Sequence, residues 1–134
     1  MTVTYLNPDN VPAPGGAYTH TARVDLGATA MIFVSGQVAL DDDGKVVGEG
    51  DMTAQTEHVF AGLRALLEAQ GATLGDIVNI RTFITDMDLR PEHGAVRMRW
   101  LEGRTPPTST LVEVSRLFRP GLLVEVEVVA VVTN

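Results

Sequence analysis

Cysteine is absent from these 134 residues, which removes thiol nucleophiles, thiolate metal sites and any disulfide framework. Aromatic residues make up 5% of the chain, and basic residues are ten against seventeen acidic ones. The resulting formal charge of −7 leaves no bulk cationic surface to neutralise nucleic-acid phosphates or to settle on an acidic membrane. No apolar run approaches the ~20 residues that span a bilayer. Met1 to Gly16 has neither the basic start nor the apolar stretch of a secretory leader. The expectation is a soluble, cytoplasmic protein. Repeats and low-complexity tracts are also missing, so residues 1–134 read as one continuous domain. At this length folding buries about two thirds of the chain's surface, and no metal or disulfide is needed for stability.

What is present is a run of periodic segments. After a lead containing Pro8, Pro12 and Pro14, Ala17 to Leu26 alternates and Ala30 to Leu40 is rich in β-formers, which predicts two strands about a turn near Gly27. Asp41-Asp42-Asp43-Gly44 reads as a solvated turn, because Lys45 and the early glycine do not fit a calcium loop. Met52, Val59, Leu63, Leu66 and Leu67 form one helical stripe between Asp51 and Gln70, and Gly71 is placed to end it. Asp76 to Thr85 alternates as a strand, with Ile77, Asn79, Arg81 and Phe83 on one side. Pro91 suits the first turn of a second helix ending near Gly103. Thr108 to Leu117 and Leu122 to Val132 read as two strands joined by a turn at Phe118 to Gly121. The order ββαβαββ predicts an α+β fold, a sheet with two helices on one face. The other face is partly apolar and must be covered, which favours another copy of the chain.

The usual chemical motifs are weak. His20, His58 and His93 lie on different predicted elements without metal-ligand spacing. Gly48 and Gly50 are only a fragment of a phosphate loop, and Ser35 lacks the preceding glycine of a nucleophile elbow. Arg90, Arg97 and Arg104 would share one face of a continuous helix, and with Glu92 and Glu102 they read as a solvated or intersubunit face rather than an RNA contact. Glu125 and Glu127 stand out, two apart on a strand within an apolar run. On an exposed face both are ordinary solvated carboxylates. On a face closed by a partner, desolvation and mutual repulsion raise a pKa and make a general acid or base.

A distributed set of segments then resembles the reactive-intermediate deaminase family, the Rid or YjgF-type proteins. Gly16-Ala17-Tyr18 is similar to the family's Gly-Pro-Tyr, and Val34-Ser35-Gly36-Gln37 to its Ser-Gly-Gln signature. Asp51 to Gly71, with Gln55 in its first turns, resembles the family's first helix, and Asp76-Ile77-Val78 with Asp86 its central strand and exit. Val124-Glu125-Val126-Glu127-Val128-Val129-Ala130 is similar to its closing strand. The resemblance implies a mixed, chorismate-mutase-like sheet with two helices on one face and a barrel-like homotrimer with ligand clefts between subunits. It also implies hydrolysis of 2-imino acids or enamines to 2-keto acids and ammonia without metal or cofactor. Carried over residue by residue, Glu125 would orient the water and Tyr18 would shape the cleft or relay a proton. Gly36 and the segment Ser109, Thr110 and Leu111 would contact the substrate.

One departure changes the expectation. Active members carry Pro-x-Arg-Ser/Thr, whose arginine grips the substrate carboxylate, whereas this chain reads Pro107-Thr108-Ser109-Thr110. Serine offers one neutral donor in place of a charged fork, a loss of about 1.5–3 kcal/mol. The expected ligand is therefore a small neutral or cationic imine or enamine, unless Arg104 or Arg116 substitutes for the missing cation. The alternative is a non-catalytic trimer that binds a small metabolite in the same cleft.

Overall fold

Residues Met1 to Asn134 are all described by the structure, a computed structural model. Strands β1 (Thr2–Leu6), β2 (Thr21–Asp25) and β3 (Thr29–Gln37) precede helix α1 (Met52–Ala69). Strand β4 (Ile77–Ile84), helix α2 (Arg90–Trp100), β5 (Thr108–Glu113) and β6 (Val124–Thr133) follow. The strands form one six-stranded sheet in the order β1-β2-β3-β6-β4-β5, antiparallel except for the β4–β5 pair. This is the mixed α+β architecture expected. No helix is long and apolar enough to cross a membrane.

Helix α1 forms where local signals agree. The Asp51 carboxylate accepts the Ala54 N–H at 3.0 Å, satisfying one of the orphan donors of the first turn. Val59, Phe60, Leu63, Leu66 and Leu67 face the sheet and are buried. At the far end Ala72 N–H reaches the Leu67 carbonyl and Gly71 N–H the Glu68 carbonyl. That closing turn needs the left-handed backbone Gly71 supplies at φ 78°. Beneath α1 lies β6, whose Val124, Val126, Val128 and Ala130 are no more than 2% exposed. Helix α2 packs against α1, with His93 and Val96 turned inward.

Four details differ from the sequence reading. Strand β1 precedes the two expected ones, because Thr2 to Leu6 alternates and finds β2 as a partner; all five of its residues are exposed, so no burial signal marks it. Strands β5 and β6 do not pair. The doubly apolar β6 takes the centre between β3 and β4, and the polar Thr-Ser-Thr of β5 takes the edge. A register shift between Ile77 and Asn79 puts Ile77 in the core and exposes Val78, reversing the expected side of Ile77. Helix α2 ends at Trp100, so Arg104 lies beyond it and not on its face.

Candidate functional site

The sheet face away from the helices is open and largely apolar. Val3, Tyr5, Phe33 and Val131 lie on it, at exposures from 36% to 67%, and cross-strand pairing aligns Tyr5, Ala22, Phe33 and Val129 in one row. Polar groups enter this face beside a bulge in β3. Pairing with β6 runs from Val34↔Val128 to Gln37↔Val126, so Ser35 and Gly36 fall outside the ladder.

Neighbouring hydrogen bonds hold that bulge. Ser35 donates its backbone N–H to His20 O at 2.8 Å and its hydroxyl to Thr19 O at 2.6 Å, fixing the segment that carries Tyr18. The His20 Nε2 meets Pro12 O at 2.6 Å. A carbonyl only accepts, so Nε2 carries the proton and Nδ1 accepts from the Gln37 amide at 3.1 Å. Gln37 also donates to Ser35 O at 3.0 Å, across the bulge.

The bulge leaves room for Glu125. A Cβ on Gly36 would lie 2.8 Å from both the Glu125 carboxyl carbon and Oε2, so only glycine permits the carboxylate to lie there. The entry to β6 is fixed by buried Gln55, which donates to Gly48 O at 3.1 Å and Gly121 O at 2.8 Å and accepts Leu123 N–H at 2.8 Å. The two carboxylates singled out in the sequence then separate. Glu127 pairs with Arg81 at 3.1 Å. Half-buried Glu125 has no cationic partner; desolvation pushes its pKa up and the charge of Glu127 pushes it further.

Tyr18 flanks the same bulge. It is 49% exposed, meets the His20 ring edge-on at 6.1 Å and lines a cleft of about 510 Å³ with Phe33, Ser35, Arg81 and Glu127. The segment Ser109 to Leu111 lies elsewhere. Ser109 and Leu111 sit opposite Ile80 and Thr82, on the helix-bearing side of the sheet edge, while Thr110 sits opposite Arg81 on the open side. Leu111 lines a second cleft of about 550 Å³ with Met87, Asp88, Arg90 and Pro91. Glu125 thus lies against Gly36, Tyr18 lines a cleft with Glu127 that includes neither Glu125 nor Gly36, and Ser109 and Leu111 lie on the helix-bearing side of the edge strand, apart from them.

Arg104 does not replace the missing cation. Its guanidinium donates to the carbonyls of Leu74, Ile77 and Thr105. Arg116 lines neither cleft. The histidines hold structure: besides His20, His58 contacts Leu40 O at 2.9 Å and buried His93 contacts Thr56 Oγ1 at 3.2 Å. Arg81 and Arg90 were not picked out as site residues in the sequence. The alternation of β4 does place Arg81 on the Asn79 side, but only pairing with β6 puts it against Glu127.

The family model described as Endoribonuclease L-PSP matches residues 9–132. The chain is 34% identical over 125 residues to the 2-iminobutanoate/2-iminopropanoate deaminase of Salmonella typhimurium strain LT2, covering 92% of this chain and 93% of that protein. Among solved structures it is similar to YyfA of Yersinia pestis, a protein of unknown function of the conserved Rid family, with TM-score 0.87, 29% identity and coverage of 98% and 100%. It is also similar to Escherichia coli TdcF with bound serine, with TM-score 0.84, 28% identity and coverage of 97% and 99%.

Proposed function

We propose that this chain, which belongs to the Rid family of Endoribonuclease L-PSP-type proteins, hydrolyses a small imine or enamine with side chains alone, in clefts closed between copies of itself. The observation that carries this reading is Glu125: desolvated, unpaired and laid against Gly36. A raised pKa makes a carboxylate a stronger base, closer to the working range of a general base at neutral pH. In the reaction water adds to the C=N carbon while Glu125 takes a proton from it. The nitrogen gains a proton, the C–N bond breaks, and ammonia leaves as the hydroxyl proton is lost and the carbonyl forms. Net, an imine and water give a carbonyl compound and ammonia.

The apolar open face supports assembly. Burying Phe33, Val129 and Val131 against another copy removes them from water, and in the homotrimer implied by the family resemblance the β5 edge of one copy would meet Glu125 and Tyr18 of its neighbour. The Salmonella relative's name states an imine deaminase, and TdcF is described with a small amino acid bound. The grip on the substrate differs from the standard one, since Ser109 supplies no charged fork. RNA cleavage fits less well, because the chain is acidic and Arg81, Arg99 and Arg104 are engaged within it.

The test is release of ammonia from an imine generated in situ by an amine oxidase. The wild type should accelerate release over buffer, and Glu125→Gln should lose on the order of a hundredfold while remaining folded, the scale of a general base. Binding without any acceleration by the wild type would instead favour a non-catalytic metabolite-binding trimer.

A further inference from the structure

The cleft beside Leu111 has no role in the reading so far, yet it contains an uncommitted cation. Most arginines are engaged within the chain: Arg81 by Glu127, Arg99 by Glu57, and Arg104 by backbone carbonyls. Arg90 is exposed and has no carboxylate within ion-pair distance. It shares its cleft with Leu111, Met87, Pro91 and Asp88. Ser109 lies on the same side of β5 as Leu111, so the cleft opens beside the segment that carries the serine. Arg90 begins α2, where Leu89 provides no capping side chain, so the positive end of that helix lies behind the guanidinium.

We propose that Arg90 is the specificity-determining cation of the cleft lined by Leu111, and that it receives the carboxylate of a small monoanionic ligand. The inference rests on the hydrolase reading only for the ligand's other end, the C=N carbon. A planar guanidinium with all its N–H groups free grips a carboxylate through two charge-assisted bonds. Leu111, Met87 and Pro91 supply an apolar wall for a short hydrocarbon body. Asp88, in the same cleft, and Glu92, in the first turn of α2, set the charge limit: one negative charge is met by Arg90, and a second is repelled. A free cation in the cleft that Leu111 lines, two residues along β5 from Ser109, revises the expectation of a neutral or cationic ligand, and it does so through neither Arg104 nor Arg116.

The experiment is an NMR titration that follows the Leu111 methyl signals of the full chain with three probes: butanoate, its neutral isostere butanamide, and succinate. Butanoate should shift Leu111 and bind about tenfold more tightly than butanamide, and succinate should bind no more tightly than butanoate. Arg90→Gln, an exposed substitution, should erase the preference for butanoate and leave butanamide binding unchanged. Equal affinity of the wild type for butanoate and butanamide, or an undiminished preference in Arg90→Gln, would overturn the proposal. The readout is independent of turnover. A protein that prefers butanoate through Arg90 but hydrolyses no imine sinks the hydrolase reading alone, and one that hydrolyses imines without that preference sinks this inference alone.

Discussion

Glycine at position 36 matters for the volume it leaves and not for its backbone freedom, since its φ is not in the left-handed region. The space belongs to Glu125, whose carboxyl carbon would lie 2.8 Å from an added methyl. Gly36→Ala therefore has to displace the carboxylate or the bulge. We expect it to lower turnover at least tenfold and to destabilise the fold by about 1–3 kcal/mol, the usual range for overpacking. Thermal melts and the ammonia assay check both, and unchanged values in both would mean that the close approach does not matter. The same comparison explains why Glu125 and Glu127, equivalent in the sequence, differ chemically: only one faces Arg81 across the ladder.

Where α1 and α2 meet, His93 is buried against Phe60 and Thr56, and its Nε2 has no partner. Desolvation, with the charge of Arg97 second, presses its pKa from 6.5 down to about 4. Its folded pKa is depressed, so below pH 6.5 the unfolded chain binds a proton that the folded chain refuses. Stability should fall between those two values and level off below the lower one, by about 3 kcal/mol for a shift of this size. His93→Gln keeps a polar partner for Thr56 and cannot titrate. Urea melts at about pH 7 and about pH 4.5 should show the wild type losing more stability than the variant, beyond the shared effect of the carboxylates. Equal losses would refute a neutral buried His93.

At the scale of the whole molecule, the open sheet face is the surface on which the proposed self-association rests. Phe33 is 43% exposed at its centre, opposite Val129. An apolar surface of this kind marks an interface. Sedimentation at micromolar concentration should give a trimer for the wild type and a smaller species for Phe33→Asp, which buries an unpaired charge in the interface. A wild-type monomer would leave Glu125 half-buried on an open face and would overturn the proposal of clefts closed between copies.

Much of this was legible in the chain itself because it is local. Helix α1 and strands β4 and β6 follow from periodicity, and their ends lie within two residues of where Asp51, Gly71 and the alternating runs put them. The pair Glu125 and Glu127 stands out by alternation alone. Contacts between distant segments carry no such local mark. That β6 enters between β3 and β4, that Ser35 and Gly36 bulge, that Arg104 turns to Leu74 and Ile77, and that Arg90 rather than Arg104 lies beside Leu111 all depend on register and packing. Periodicity assigns a side chain to a face, but what it meets there depends on a neighbour far away in the chain.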